Sequence, residues 1–167
     1  MIFENQILNY FGPNLIKRDI NFISSETLTT EEIAIITEIG LPNNILDFHF
    51  TNDISLLSPS EIVIGKVHSE NNIILNLESR NITKNNLNYF LAKSLKHLFL
   101  QLYTYNHLWK NVIPNKHFGA YRENSNFKKY AKFLETQLLE IDPDLLKNDN
   151  AYFWGSLIED IEFGIVG

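Results

Sequence analysis

The spacing of apolar residues changes twice along this chain, from a helical period to strict alternation and back. In ILDFHFT, residues 45–51, Leu46, Phe48 and Phe50 alternate with polar residues, which is typical of a half-buried strand. Further along, apolar residues recur at helical spacing and predict a helix over about 88–110. Strands between helices predict an α+β domain, with a central, mainly antiparallel sheet between N-terminal and C-terminal helices.

Two helices are predicted before the strands. The first lies in FENQILNYFG, where apolar residues stand at helical spacing and a Gly-Pro pair follows. The second covers about 30–39 and begins with a capping box formed by Thr29 and Glu32. It ends at Gly40, which can adopt the left-handed conformation that closes a helix, and the nearby proline prevents continuation.

Three further β-rich runs follow the alternating segment, and their sequences are EIVIGKV, NIILNLE and NITK. The polar connection HSEN between the first two runs is short. It therefore predicts an antiparallel hairpin.

Two more helices are predicted after the helix at 88–110. One opens near Asn124 or Ser125 and ends at the Asp-Pro pair of residues 142–143. The other covers about 151–162 and is closed by Gly164. The side chains that this last helix is expected to bury are Trp154, Leu157, Ile158 and Ile161.

The aromatic residues of the C-terminal part have two possible roles. Trp109 and Trp154 fall on apolar stripes and are predicted to be core residues. Tyr103 and Tyr105, in LYTYNHLW, are candidates for surface anchors that contact a partner.

Length and composition predict one domain that covers residues 1–167. The 167 residues are 44% hydrophobic and 13% aromatic, enough for a sizeable core, and there is no cysteine for a disulfide framework. The N-terminal MIFENQ has no basic region typical of a signal peptide, and no apolar run approaches the roughly 20 residues of a membrane span. We expect a cytoplasmic protein that is not inserted in a membrane.

The charges are unevenly distributed, and the net charge of −6 disfavours nonspecific binding to nucleic acid. Residues 84–132 are mostly basic, whereas residues 135–162 are mostly acidic. The two segments are interpreted either as ordinary solvated surfaces or as an acidic surface for a basic protein partner. The candidate partner-binding residues are Asp144, Asp149, Glu159, Asp160 and Glu162.

No recognised pattern for catalysis, metal binding or cofactor binding is present in the sequence. The five histidines lie in no HExxH motif, and no serine lies in a G-x-S-x-G elbow. The sequence also lacks a phosphate-binding loop and GxGxxG. We predict no catalytic residue, no metal and no cofactor, although folding could pair two acids of the C-terminal part into a dyad.

The order of several segments resembles the SUKH superfamily of bacterial immunity proteins, in particular its fourth group. These segments are YFGPNLIKR, TEIGLPNNILDFHF, EIVIGKVHSENNIILNLES, IDPDLL and AYFWGSLIEDIEFG. The resemblance implies an inhibitor and not an enzyme. It would bind and neutralise a cognate polymorphic toxin, such as a nuclease or a deaminase, in the cytoplasm of the producing bacterium.

Two other functions remain open at this point. One is a regulatory module with a SUKH-like fold that binds a protein other than a toxin. The other is a small hydrolase whose site is assembled from residues distant in the sequence. The sequence does not determine the toxin or the oligomeric state.

Overall fold

The computed structural model describes residues 2–20, 27–50, 54–68, 71–84, 89–113, 127–147 and 151–165. The helices are α1 (Ile2–Phe11), α2 (Thr30–Ile33), α3 (Leu95–His107), α4 (Phe127–Ile141) and α5 (Tyr152–Glu162). The strands are β1 (Leu15–Ile16), β2 (Leu41–Pro42), β3 (Asn44–Ile45), β4 (Phe48–His49), β5 (Ser55–Ser58), β6 (Glu61–Val67), β7 (Asn71–Asn76), β8 (Ile82–Lys84) and β9 (Tyr89–Ala92). This order confirms the predicted α+β class, with N-terminal helices, a central sheet and C-terminal helices.

The chain divides into two compact units, Met1–Phe99 and Leu100–Gly167. The division falls within α3, so the last residues of this helix belong to the second unit. The single domain over residues 1–167 stays a prediction. No helix in the described ranges is both long and apolar enough to cross a membrane.

The capping box at the start of α2 is confirmed. The backbone N–H of Glu32 donates to Thr29 Oγ1 at 3.2 Å, and the backbone N–H of Thr29 donates to Glu32 Oε2 at 2.8 Å. Beyond Ile33 the helix widens into a π-helical turn, Ala34–Ile39, which brings the helical segment to the predicted end.

Gly40 differs from the prediction in its backbone conformation. Its φ is positive, at 99°, but its ψ of 153° is extended and not left-handed helical. This conformation is almost restricted to glycine. A Cβ at Gly40 would also lie 2.9 Å from the carbonyl carbon of Ile16, so the absence of a side chain lets the two backbones approach.

The prediction of one strand in ILDFHFT is wrong. A turn at Leu46 and Asp47 divides the segment into β3 and β4, which pair antiparallel with Ile45 opposite Phe48. Leu46 has a positive φ of 51° and is 41% exposed, whereas Phe48 and Phe50 are buried as the alternation predicted. The turn-favouring Asn43, Asn44 and Asp47 around it explain why a tight hairpin forms.

The main sheet has seven strands, and all its pairings within the described residues are antiparallel. The hairpin of β6 and β7 confirms the prediction for EIVIGKV and NIILNLE, and β8 confirms the strand in NITK. Strands β4 and β5 pair with different halves of β6, along the edge that β7 leaves open.

The predicted start of the helix at 88 is wrong. Residues Tyr89–Ala92 form β9 and pair with β8, and α3 begins only at Leu95. The apolar run YFLA is compatible with either an edge strand or a buried helical turn. It forms a strand because β8 has an open edge with which it can pair. From Leu95 onward the predicted apolar stripe is buried.

In the second unit, α4 and α5 pack against each other and run antiparallel. The start of α4 lies beside the end of α5. The proximity is visible at Gly164, where an added Cβ would lie 3.3 Å from the Phe127 ring. Trp154 is fully buried, as predicted, and its ring packs edge-on against Tyr105 with centroids 6.1 Å apart. Tyr105 is therefore a core residue, and its prediction as a surface anchor is wrong.

The remaining predictions for the second unit concern exposure. Ile161 is buried as predicted, whereas Trp109, Leu157 and Ile158 are half-buried. Tyr103 is also half-buried and stacks on the His107 ring at 5.8 Å. The intermediate exposure of Leu157 and Ile158 follows from α5, which lies on the surface of the unit and buries only one side.

Candidate protein-binding surface

The structure places the predicted acidic residues at two separate places in the second unit. Glu159, Asp160 and Glu162 lie together in the last turns of α5, whereas Asp144 lies in the turn after α4. Since α5 ends beside the start of α4, the 15 residues of α4 separate the two places by about 20 Å. Asp149 lies outside the described residues.

Asp144 belongs to a locally balanced turn. Its carboxylate accepts a hydrogen bond from Lys147 Nζ at 2.5 Å, and this hydrogen bond raises the pKa of Lys147. Its backbone N–H donates to Oδ1 of the buried Asp142 at 3.1 Å. Asp142 is therefore a turn residue, as the Asp-Pro pair predicted. Its carboxylate accepts a hydrogen bond from the backbone of the turn.

The acids of α5 have fewer local partners. Glu162 forms an ion pair with Lys128 of α4, with Nζ and Oε1 3.6 Å apart. Within the described residues, Glu159 and Asp160 have no ion-pair partner. Glu159 is exposed, and Asp160 is half-buried.

The position of these acids is unfavourable for the helix that carries them. The C-terminal end of a helix carries a partial negative charge, which repels carboxylates in the last turn. The last turn of α5 contains no basic residue to offset this repulsion. Lys128 of α4 offsets the repulsion at Glu162, and a cation of a binding partner would offset it at Glu159 and Asp160.

Two exposed aromatic residues lie on the same side of α5 as Glu159. Tyr152 is 60% exposed and Phe163 is 68% exposed. At 100° per residue, Tyr152, Ser156, Glu159 and Phe163 fall within roughly 60° of the helix circumference. We refer to these four residues as the α5 stripe. Aromatic residues beside a charge are typical of the energetic centre of protein interfaces.

The end of the α5 stripe is held in place by a helix cap. Gly164 has a φ of 67°, and its N–H donates to the carbonyl of Ile161 at 3.0 Å. The N–H of Ile165 donates to the carbonyl of Asp160 at 2.8 Å, which completes a Schellman motif. Phe163 and Ile165 are therefore exposed on ordered backbone.

Sequence reasoning did not identify Tyr152 and Phe163 as surface residues. A helical projection contains the necessary signal, because both lie nearly opposite Trp154 and Ile161 on the wheel. The residues of this helix that the sequence predicted to be buried were Trp154, Leu157, Ile158 and Ile161, and no role was assigned to Tyr152 or Phe163. The structure buries Trp154 and leaves Tyr152 and Phe163 exposed.

One pair of side chains has the chemistry of a hydrolase, but its geometry has a structural explanation. Ser94 Oγ lies 2.7 Å from His97 Nδ1, the distance expected for a nucleophile and its base. The same oxygen accepts a hydrogen bond from the backbone N–H of His97 at 3.3 Å, as an N-cap does for α3. His97 occupies the third helical position, so the contact between its ring and Ser94 Oγ lies within the first turn of α3.

Among the described residues, no group of three or more His, Asp and Glu side chains could hold a metal ion. Comparisons with protein-family models, with curated proteins and with solved structures found no match to this chain.

Proposed function

We propose that this chain is an immunity protein that binds a cognate toxin domain and blocks its action in the cytoplasm of the producing bacterium. The observation that supports the proposal best is the α5 stripe. In it, two exposed aromatic side chains lie on either side of a carboxylate that has no ion-pair partner among the described residues.

The charge of the chain suits a basic partner. Toxins that act on nucleic acid, such as nucleases and deaminases, need basic surfaces to bind their substrate. The net charge of −6, together with the acids at the end of α5, would attract such a surface. Electrostatic attraction mainly speeds association, which is what an inhibitor needs when it competes with substrate inside a cell.

The inhibitor would act by stoichiometric binding and would need no cofactor. The aromatic side chains provide buried apolar area in the complex, and the acids provide orientation. The proposed partner-binding residues are Asp144, Asp149, Glu159, Asp160 and Glu162. Because Asp144 is far from the other three described acids, its contribution can be separated from theirs by mutation.

The experiment is co-expression of this chain with the toxin domain encoded beside it, followed by kinetics of the purified pair. We expect the chain to restore growth and to bind in a one-to-one complex. A folded chain that neither binds nor protects would refute the proposal.

Charge reversals then test the electrostatic part. Glu159→Lys, Asp160→Lys and Glu162→Lys together should lower the association rate by about tenfold at low salt, with a weaker dependence on salt. Asp144→Lys tests the proposed acid at the other end of α4 separately. If it lowers the association rate as much as the single reversal Glu159→Lys, the acidic surface includes both places; if it has no effect, only the acids of α5 contribute.

A further inference from the structure

We infer that the α5 stripe binds a groove of the partner that has two apolar pockets with an arginine between them. The inference rests on the proposed function and specifies the chemistry that the partner must present. The stripe is the part of α5 that faces away from Trp154 and Ile161, so it is available for a partner without unfolding.

The helix geometry determines the spacing of the groove. Tyr152 and Phe163 are eleven positions apart, so their pockets lie about 16 Å apart at 1.5 Å per residue. Glu159 is about 10 Å along the helix from Tyr152 and about 6 Å from Phe163. Recognition of a helix through such regularly spaced anchors is a common mode of protein binding.

The position of Glu159 favours arginine over lysine in the partner. A guanidinium can bind a carboxylate with two hydrogen bonds and also stack on an aromatic face. A group that binds Glu159 lies within reach of the Phe163 ring, which adds a cation–π contact. A lysine ammonium would bind the carboxylate as a point charge and would lose the stacking.

Charge complementarity argues against a second copy of this chain as the occupant. The α5 stripe contains a single charged residue, Glu159, and no basic residue. Two copies that paired through the stripe would therefore bring no cation to Glu159, whereas a basic partner supplies one.

The ordered cap favours binding because little freedom is lost. The Schellman motif fixes the backbone of Phe163 and Ile165 before any partner arrives. A helix face that is already formed avoids the entropy cost that a disordered segment would have on binding.

The experiment measures the affinity of full-length variants for the neighbouring toxin domain by calorimetry. We expect Phe163→Ser to weaken binding by at least about 30-fold, and Tyr152→Ser and Glu159→Gln by about tenfold each. Phe163→Leu keeps apolar area and removes the ring, so its affinity should fall between those of wild type and Phe163→Ser.

There are two matched controls. Leu57→Ser removes an exposed apolar side chain from β5, and Glu140→Gln removes an exposed charge from α4. Both controls should stay within about twofold of wild type.

The outcomes separate this inference from the proposed function. If wild type binds the toxin domain and the α5 variants bind equally well while remaining folded, the inference is wrong and the proposed function survives. If wild type does not bind it, both are wrong. Sedimentation of the free chain gives a second test: a dimer that Phe163→Ser abolishes would show that the stripe pairs two copies, against the inference.

Discussion

The two units of this protein differ in how they bury charge. In the unit Met1–Phe99, the buried side chains of Arg18 and Glu32 each form hydrogen bonds with more than one residue, and Glu32 belongs to a largely buried ion pair. In the unit Leu100–Gly167, the interior is built around Trp154 and Tyr105. Its buried polar side chains are Gln101, Thr104, Asn106 and Asp142, and the ion pairs among its described residues lie on the surface. The sheet unit therefore connects its elements through a buried ion pair and a buried guanidinium, whereas the described ion pairs of the helical unit stay in contact with water.

Arg18 illustrates the difference most directly. It is 4% exposed, and its guanidinium donates to the carbonyls of Ile16, Leu41 and Phe50, the last two at 2.9 and 3.0 Å. Burial lowers the pKa of Arg18, as desolvation disfavours a charged group. One side chain thus connects β1, β2 and the end of the β3–β4 hairpin through their backbone carbonyls.

The second connection in the sheet unit joins the start of α2 to the turn between β7 and β8. Arg80 Nη1 donates to Glu32 Oε2 and to the carbonyl of Thr27, both at 3.0 Å. The same carboxylate oxygen accepts the capping hydrogen bond of Thr29. Glu32 therefore serves as a helix cap and as one half of a largely buried ion pair.

The largest expected effect belongs to the helical unit. Trp154→Ala should lower the free energy of unfolding by roughly 3–5 kcal/mol, because it leaves a cavity in the aromatic core. Urea unfolding followed by circular dichroism measures the change. Tyr152→Ala, two positions earlier and 60% exposed, is the control and should change it by less than about 0.5 kcal/mol. Similar losses for both variants would show that the core is not where the structure puts it.

The next effect is in the sheet unit. Arg18→Met keeps the apolar stem but removes the donors to three carbonyls, so it should cost about 3 kcal/mol. Lys17→Met, at an exposed neighbouring position, should be nearly neutral. A loss no larger than that of Lys17→Met would mean that Arg18 is not needed to connect the strands.

The Arg18→Met variant also tests whether the two units unfold together. Both tryptophans, Trp109 and Trp154, belong to the helical unit, so fluorescence follows that unit alone. Hydrogen exchange of residues 61–76 follows the sheet. Equal destabilisation in both measurements would support the predicted single domain, whereas a change in hydrogen exchange alone would assign the units to separate cooperative blocks.

A smaller effect is expected at the ion pair of Glu32. Arg80→Met leaves a buried carboxylate that keeps, among the described residues, only its capping hydrogen bond, so we expect a loss of roughly 2–3 kcal/mol. Lys96→Met removes the partner of the adjacent Glu31, whose ion pair at 3.1 Å is exposed, and should cost less than about 0.5 kcal/mol. If Arg80→Met and Lys96→Met lower the free energy of unfolding in denaturant by the same amount, the buried ion pair contributes no more than the exposed one, and the prediction is wrong.

These contrasts explain which parts of the structure the sequence could predict. The capping box of Thr29, the β6–β7 hairpin and the burial of Trp154 depend on residues close in the sequence or on simple periodicity, and all three were predicted correctly. The division of ILDFHFT into two strands and the strand at Tyr89–Ala92 depend on which sheet edge is open, which no local pattern contains. The role of Arg18 was missed for the same reason, since its acceptors lie up to 32 positions away.

The candidate site shows the same division. The acidity of the C-terminal segment was visible in the sequence, but its separation into two groups required the antiparallel packing of α4 on α5. The exposed Tyr152 and Phe163 were predictable from a helical wheel once the burial of Trp154 was accepted. The sequence also suggested a sharp boundary between the basic and the acidic segment. In the fold the two segments contact each other, since Lys128 of the basic segment forms an ion pair with Glu162 of the acidic one.

The smallest expected effect is in the helical unit, and it completes the comparison. Lys132 pairs with Glu135 at 2.8 Å, and the two side chains are 72% and 34% exposed. An exposed pair one helical turn apart gains little over water, so Lys132→Met should change the free energy of unfolding by no more than about 0.5 kcal/mol. Any difference should shrink further at high salt, because screening weakens exposed pairs first. The measurement is thermal unfolding of Lys132→Met and Arg80→Met at low and at high salt. A loss at Lys132 as large as that at Arg80 would mean that the helical unit also depends on its ion pairs, and the contrast between the two units would then fail.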